Sequence, residues 1–129
     1  MTFEWTSKKP NAGIATLYES NITLNKTASS HFDHAYSVLL GIDYDTKRIA
    51  IKPLTKQETE RGAVPEEKRH KITVRQSYAR VCNKSFMKAV SELANIDLID
   101  NNAYKFPTSW SAKDQALIID LNHILEVLS

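Results

Sequence analysis

His31 and His34 lie three residues apart. On a helix that spacing puts both imidazoles on one face, where they can fill two metal coordination positions. A third ligand would come from Asp33, Asp43 or Asp45, and a built metal site carries more local ligands than this. The pair therefore reads as the polar end of a helix, and no metal site is expected. Cys82 stands just before an expected helix N-terminus, the kind of position where a thiolate is favoured. A nucleophile also needs a base, for which His70 is nearest in sequence. Gly13, Gly41 and Gly62 are isolated, so no phosphate-cradling loop exists, and there is no Gly-x-Ser-x-Gly elbow. The pairs Asp43/Asp45 and Asp97/Asp100 read as turn residues. The expectation is a protein with no catalytic residue, no metal and no cofactor, hence not an enzyme.

The stronger chemical signal is charge. The whole chain carries a net charge of only +2 over 129 residues, yet its middle is basic. Residues 47–88 hold twelve Lys/Arg against four Glu, while 1–46 and 89–129 are acidic on balance. A basic middle between acidic ends attracts phosphate without making the whole surface adhesive. The candidate nucleic-acid contacts are Lys47, Arg48, Lys52, Lys71, Arg75, Arg80, Lys84 and Lys88, with Tyr44 and Tyr78 nearby as possible stacking partners.

These cations need a scaffold, and the sequence supplies a repeated one. The runs 14–26 and 72–84 have equal length and end in Asn25-Lys26-Thr27 and Asn83-Lys84-Ser85. Ala35-Tyr36 opens a stretch ending in Ile49-Ala50-Ile51, and Ala103-Tyr104 opens an equally spaced one ending in Leu117-Ile118-Ile119. On this alignment Cys82 matches Leu24 and is expected to be a buried packing residue.

Alternation predicts strands over 14–18 and 22–24, with Ala15 and Leu17 on one face. Asn25 and Asn83 are expected to cap helices starting at Lys26 and Lys84. Residues 36–42 and 48–52 predict a hairpin around Asp43-Tyr44-Asp45-Thr46-Lys47, ended by Pro53. Residues 96–100 and 103–110 predict two further strands. The C-terminal stretch is ambiguous. Ser111-Ala112-Lys113-Asp114 followed by Leu117, Leu121, Ile124, Leu125 and Leu128 suits a helix. The repeat instead makes 116–121 a strand, and that reading is preferred.

The run Asn21-Ile22-Thr23-Leu24-Asn25-Lys26, then Leu39-Leu40-Gly41-Ile42, then Arg48-Ile49-Ala50-Ile51-Lys52-Pro53 resembles AbrB-type swapped-hairpin transcription regulators. The resemblance covers about residues 14–54 and, more faintly, 72–121. It implies a strand, a short helix and a hairpin in each copy, and a non-enzymatic DNA-binding role. The chain departs from the family at Asn25-Lys26, where a Pro and an Arg are usual.

The expected fold is α+β, mostly β: pseudo-duplicated strand-helix-hairpin units forming a small barrel or two-layer core with two short helices. Residues 1–12 are a flexible arm. Residues 13–121 are one domain of two repeats, 13–54 and 71–121, joined by a charged linker 55–70. Residues 122–129 are a C-terminal tail. The single cysteine, the lack of a charged-then-apolar leader and the lack of a membrane-length apolar run predict a cytoplasmic protein. The expected function is non-catalytic binding of duplex DNA by a small transcriptional regulator, with a second copy of the chain as a candidate partner in a homodimer. The alternative is a protein-interaction or assembly module of a mobile element with no nucleic-acid affinity.

Overall fold

The computed structural model describes residues 12–62, 64–99 and 102–128. All of the expected flexible arm, residues 1–12, except Ala12 lies outside these residues. Among those described, nine strands form one antiparallel sheet, curled into a half-barrel around an aliphatic core. In chain order they are β1 (Ile14–Leu17), β2 (Asn21–Leu24), β3 (Ser37–Asp43), β4 (Arg48–Leu54), β5 (Thr73–Val74), β6 (Ala79–Cys82), β7 (Ala103–Ser111), β8 (Ala116–Asp120) and β9 (Glu126–Leu128). Three helices join them: α1 (Lys26–Ser29), α2 (Lys56–Glu60) and α3 (Lys84–Ala94). The spatial order is β3-β4-β8-β7-β1-β2-β6-β5, with β9 also against β7. The two ends meet at one bridge, where Val38 and His70 exchange both backbone hydrogen bonds at 2.9 Å.

The two segments matched in the sequence are interleaved in the sheet. Strands of one copy pair with strands of the other at β1–β7, β2–β6 and β4–β8. In β4–β8, Ile49 faces Ile119, Ala50 faces Ile118 and Ile51 faces Leu117. Exchanging Ile49 with Leu117 and Ile51 with Ile119 reproduces the same pairs. A pseudo-twofold axis therefore passes through Ala50 and Ile118. The turns repeat as well. Asp43 Oδ1 accepts the Thr46 N–H at 3.3 Å, and Ser111 Oγ accepts the Asp114 N–H at 3.1 Å. Each turn then closes on a residue of positive φ, Lys47 (55°) and Gln115 (52°). Ser111 and Asp114 thus shape a hairpin turn, and the strand reading of 116–121 holds.

Each copy's helix starts the same way. Asn25 Oδ1 accepts the Ala28 N–H at 3.0 Å, and Asn83 Oδ1 accepts the Phe86 N–H at 2.9 Å. Such a cap satisfies a donor the first helical turn leaves free. α1 drives Ala28 into the core, with Phe32 in the turn after it, and α3 drives in Met87 and Val90.

Several local expectations need correction. Burial alternates as in, out at Ala79-Arg80-Val81-Cys82, so Cys82 is exposed whereas Leu24 is fully buried. Leu24 corresponds in space to Val81, and Ile22 to Ala79. The second copy has one extra residue, Cys82, between its last inward side chain and its cap. Side chains alternate with period two, so a one-residue slip reverses every face. With this correction the axis on that wall passes through the facing pair Thr23 and Arg80.

Pro53 does not end β4, which runs to Leu54. Its partner Val38 turns its own N–H and C=O to His70, and β8 pairs only as far as Ile51. The nitrogen of Pro53 therefore lies where no ladder donor is needed. The linker 55–70 is not featureless. Thr55 and Glu58 form a capping box for α2, and the Thr59 hydroxyl shares a buried hydrogen bond of 3.0 Å with that of Ser37. Two expected helices thus become three. Residues 96–99 form no strand, and β9 lies within the expected tail.

Candidate nucleic-acid interface

The pairing registers divide the outer surface into two opposed walls. On one, side chains of Thr73, Arg80, Thr23, Thr16 and Lys105 face one another in a row across β5, β6, β2, β1 and β7. On the other, Asp43, Arg48 and Asp120 form a row across β3, β4 and β8.

Lys71, Arg75 and Arg80 belong to the first wall. Alternation puts Lys71, Thr73 and Arg75 outward while Ile72 and Val74 pack on the core. The Arg75 N–H donates to the Tyr78 carbonyl at 2.8 Å and closes the β5–β6 hairpin. Gln76 and Ser77 are left exposed at its tip. The Arg80 guanidinium sits 5.2 Å from the centre of the Tyr78 ring, and its Nε lies 3.4 Å from Thr23 Oγ1. A ring face attracts a cation and holds the planar guanidinium extended.

Lys47, Arg48 and Lys52 belong to the opposite wall. Arg48 is flanked across the strands by Asp43 and Asp120. Asp43 is held below the ordinary carboxylate range by the Thr46 hydroxyl and N–H, then by the Asp45 N–H and Arg48. Asp120 is held low by the N–H and side chain of Asn122, then by Arg48 and His123. Both carboxylates are thus ionised at neutral pH and offset the charge of Arg48. Lys52 Nζ donates to the Asp114 carbonyl at 2.8 Å. Its charge also helps hold Glu58 low, an effect smaller than that of the Thr55 N–H and hydroxyl. Lys84 and Lys88 line a third surface, a groove beside α3 that also contains Glu19, Glu92 and Asp97.

The eight cations therefore do not share one face. Lys71, Arg75 and Arg80 come together; Lys47, Arg48 and Lys52 lie across the barrel among carboxylates. The ion pairs among the described residues are Lys56–Glu60 at 3.8 Å and Lys105–Glu126 at 3.5 Å, and neither uses any of the eight. Tyr44 is 65% exposed on the acidic hairpin, away from Arg80.

The pairing of Tyr78 with Arg80 was readable from their i, i+2 spacing on a strand. The flanking of Arg48 by Asp120 was not, because that partner lies seventy-odd residues away. The His31 ring stacks on Trp110, with centroids 4.5 Å apart and an interplanar angle of 6°. Among the described residues, no three His, Cys, Asp or Glu side chains converge as a metal site. Nor is any helix among them long and apolar enough to cross a membrane. Comparison with protein-family profiles, curated proteins and solved structures returns no match.

Proposed function

We propose that the protein binds duplex DNA without catalysis, as a small regulator, through the β5–β6 hairpin. The observation that carries this reading is the grouping of Lys71, Arg75 and Arg80 on one exposed face, with none in an ion pair among the described residues. A two-stranded ribbon fits the major groove. Its tip presents Arg75, Gln76 and Ser77, side chains suited to base edges. Lys71 and Arg80 stand behind the tip, where phosphates would run.

Fluorescence anisotropy of a labelled duplex, titrated across salt concentrations, tests this. Lys71→Ala and Arg80→Ala should each lower the salt slope of binding by about one unit. Arg48→Ala, already offset by two carboxylates, should change it much less. The reading is rejected if duplex DNA shows no salt-dependent binding at low ionic strength. A second reading, an assembly module, is favoured by the open backbone edge of β3.

A further inference from the structure

Along the first wall, strand pairing carries the outward row past Arg80. Arg80 faces Thr23, Thr23 faces Thr16, Thr16 faces Lys105, and Lys105 faces Glu126 on β9. The first four side chains point away from the core, since Val81, Ile22, Ala15, Leu17 and Phe106 beside them are buried. None of the strands β5, β6, β2, β1 and β7 contains an Asp or Glu, nor does the β5–β6 turn. Glu126 is therefore the first carboxylate met along the row. Only threonines lie between the two cations, so nothing there repels a phosphate. Arg80 and Lys105 are three strand spacings apart, roughly 14 Å. That length spans about four phosphates of one DNA strand.

Lys105 is paired, but differently from Arg48. Its Nζ lies 3.5 Å from Glu126 Oε1, and the two side chains are 34% and 55% exposed. A pair so open to water gains little, so a phosphate can take the place of the carboxylate. Asp43 and Asp120, by contrast, are anchored by N–H donors of their own turns. Glu126 has no side-chain partner beyond Lys105 among the described residues. The Leu125 N–H donates to the Lys105 carbonyl at 2.8 Å and so keeps Glu126 beside this lysine.

We infer that the DNA-contacting face extends along this row to Lys105, and that Glu126 weakens binding there by competing with a phosphate for that lysine. The inference rests on the duplex-binding reading above. It adds a phosphate contact to Lys71 and Arg80, and names the carboxylate that opposes it. Lys105 lies outside the basic stretch 47–88, and only strand pairing links it to the hairpin. Binding exchanges one ion pair for another at Lys105, so this lysine adds less than Arg80 while Glu126 is charged. With that carboxylate neutralised, its phosphate contact acts unopposed.

Anisotropy of a labelled duplex with the full chain, titrated across salt, tests it on variants whose far-UV spectra match the wild type. Glu126→Gln should tighten binding and raise the salt slope by about one unit. Lys105→Met keeps the packed stem and removes the charge. It should lower the slope by about one unit in the Glu126→Gln background, and by less in the wild type. Glu126→Gln should tighten binding far less once Lys105→Met is present. Lys56→Met, which breaks the exposed pair with Glu60 on α2, should leave the slope unchanged. If the wild type shows no salt-dependent binding, the duplex reading fails and this inference with it. If the wild type binds and Arg80→Ala lowers the slope, but Lys105→Met leaves it unchanged in both backgrounds, the reading stands and the inference is overturned. Equal tightening by Glu126→Gln with and without Lys105 also overturns it.

Discussion

Two asparagines set the helix starts, but they do not carry equal loads. Asn25 Oδ1 accepts from both Ala28 and Ile14, at 3.0 and 3.1 Å, and its Nδ2 donates to the Ala12 carbonyl at 2.9 Å. It ties α1 to the start of β1. Asn83 caps α3, and its amide lies 3.1 Å from His70 Nδ1. Losing an asparagine cap costs about 1 kcal/mol. Asn83→Ala should cost about that much, and Asn25→Ala more, because the Ile14 N–H then loses a partner in a half-buried place. Urea unfolding of the two variants measures the difference. The caps were legible because an asparagine before a helical run has one common use. The stack of His31 on Trp110 was not, since nothing local links residues so far apart.

At the level of strands and helices, the sequence disclosed the order of elements and failed where two rules compete. Proline normally stops a strand, yet β4 runs through Pro53 because β8 has ended by then and Val38, opposite it on β3, turns its own hydrogen bonds to His70. The box Thr55-x-x-Glu58 was a sufficient helix signal, but the surrounding charge disguised it. Matching Cys82 to Leu24 preserved the letters of the repeat and lost its faces; only the in-out alternation of β6 reveals the inserted residue. That correction has a measurable consequence. Leu24→Ala should destabilise by about 2–5 kcal/mol, as for other buried leucines. Cys82→Ala should stay within about 0.5 kcal/mol, as for an exposed site. Denaturant titration gives both values, and Cys82 should react with a maleimide in the native protein.

Taken whole, the molecule cannot be divided along its repeat. β1 and β2 each find their main partner in the other copy, β4 pairs there with β8 as well as with β3, and Leu17, Ile22, Ile51, Val81, Phe106 and Leu117 belong to one core. Neither half buries its apolar face alone. Unfolding should therefore be a single transition, with far-UV dichroism and tryptophan fluorescence coincident in denaturant. Two separated transitions would mean that the halves are independent after all. The duplicated architecture was visible in the sequence, but the gathering of cations on a single side was not to be had from it. Interleaving sends β4 and β6 to opposite walls, which no linear spacing records.

The axis through Thr23/Arg80 and Ala50/Ile118 also bears on how such a chain can vary over time. In a dimer of identical subunits, any residue on the dyad must tolerate its own image. Two arginines would repel each other, and two isoleucines would crowd where two alanines leave a gap. Joining the copies in one polypeptide lifts that restriction. Each central position can be answered by a different residue, a hydroxyl beside a guanidinium or a small side chain beside a large one. The two halves are then free to drift apart in sequence while keeping the same mutual embrace.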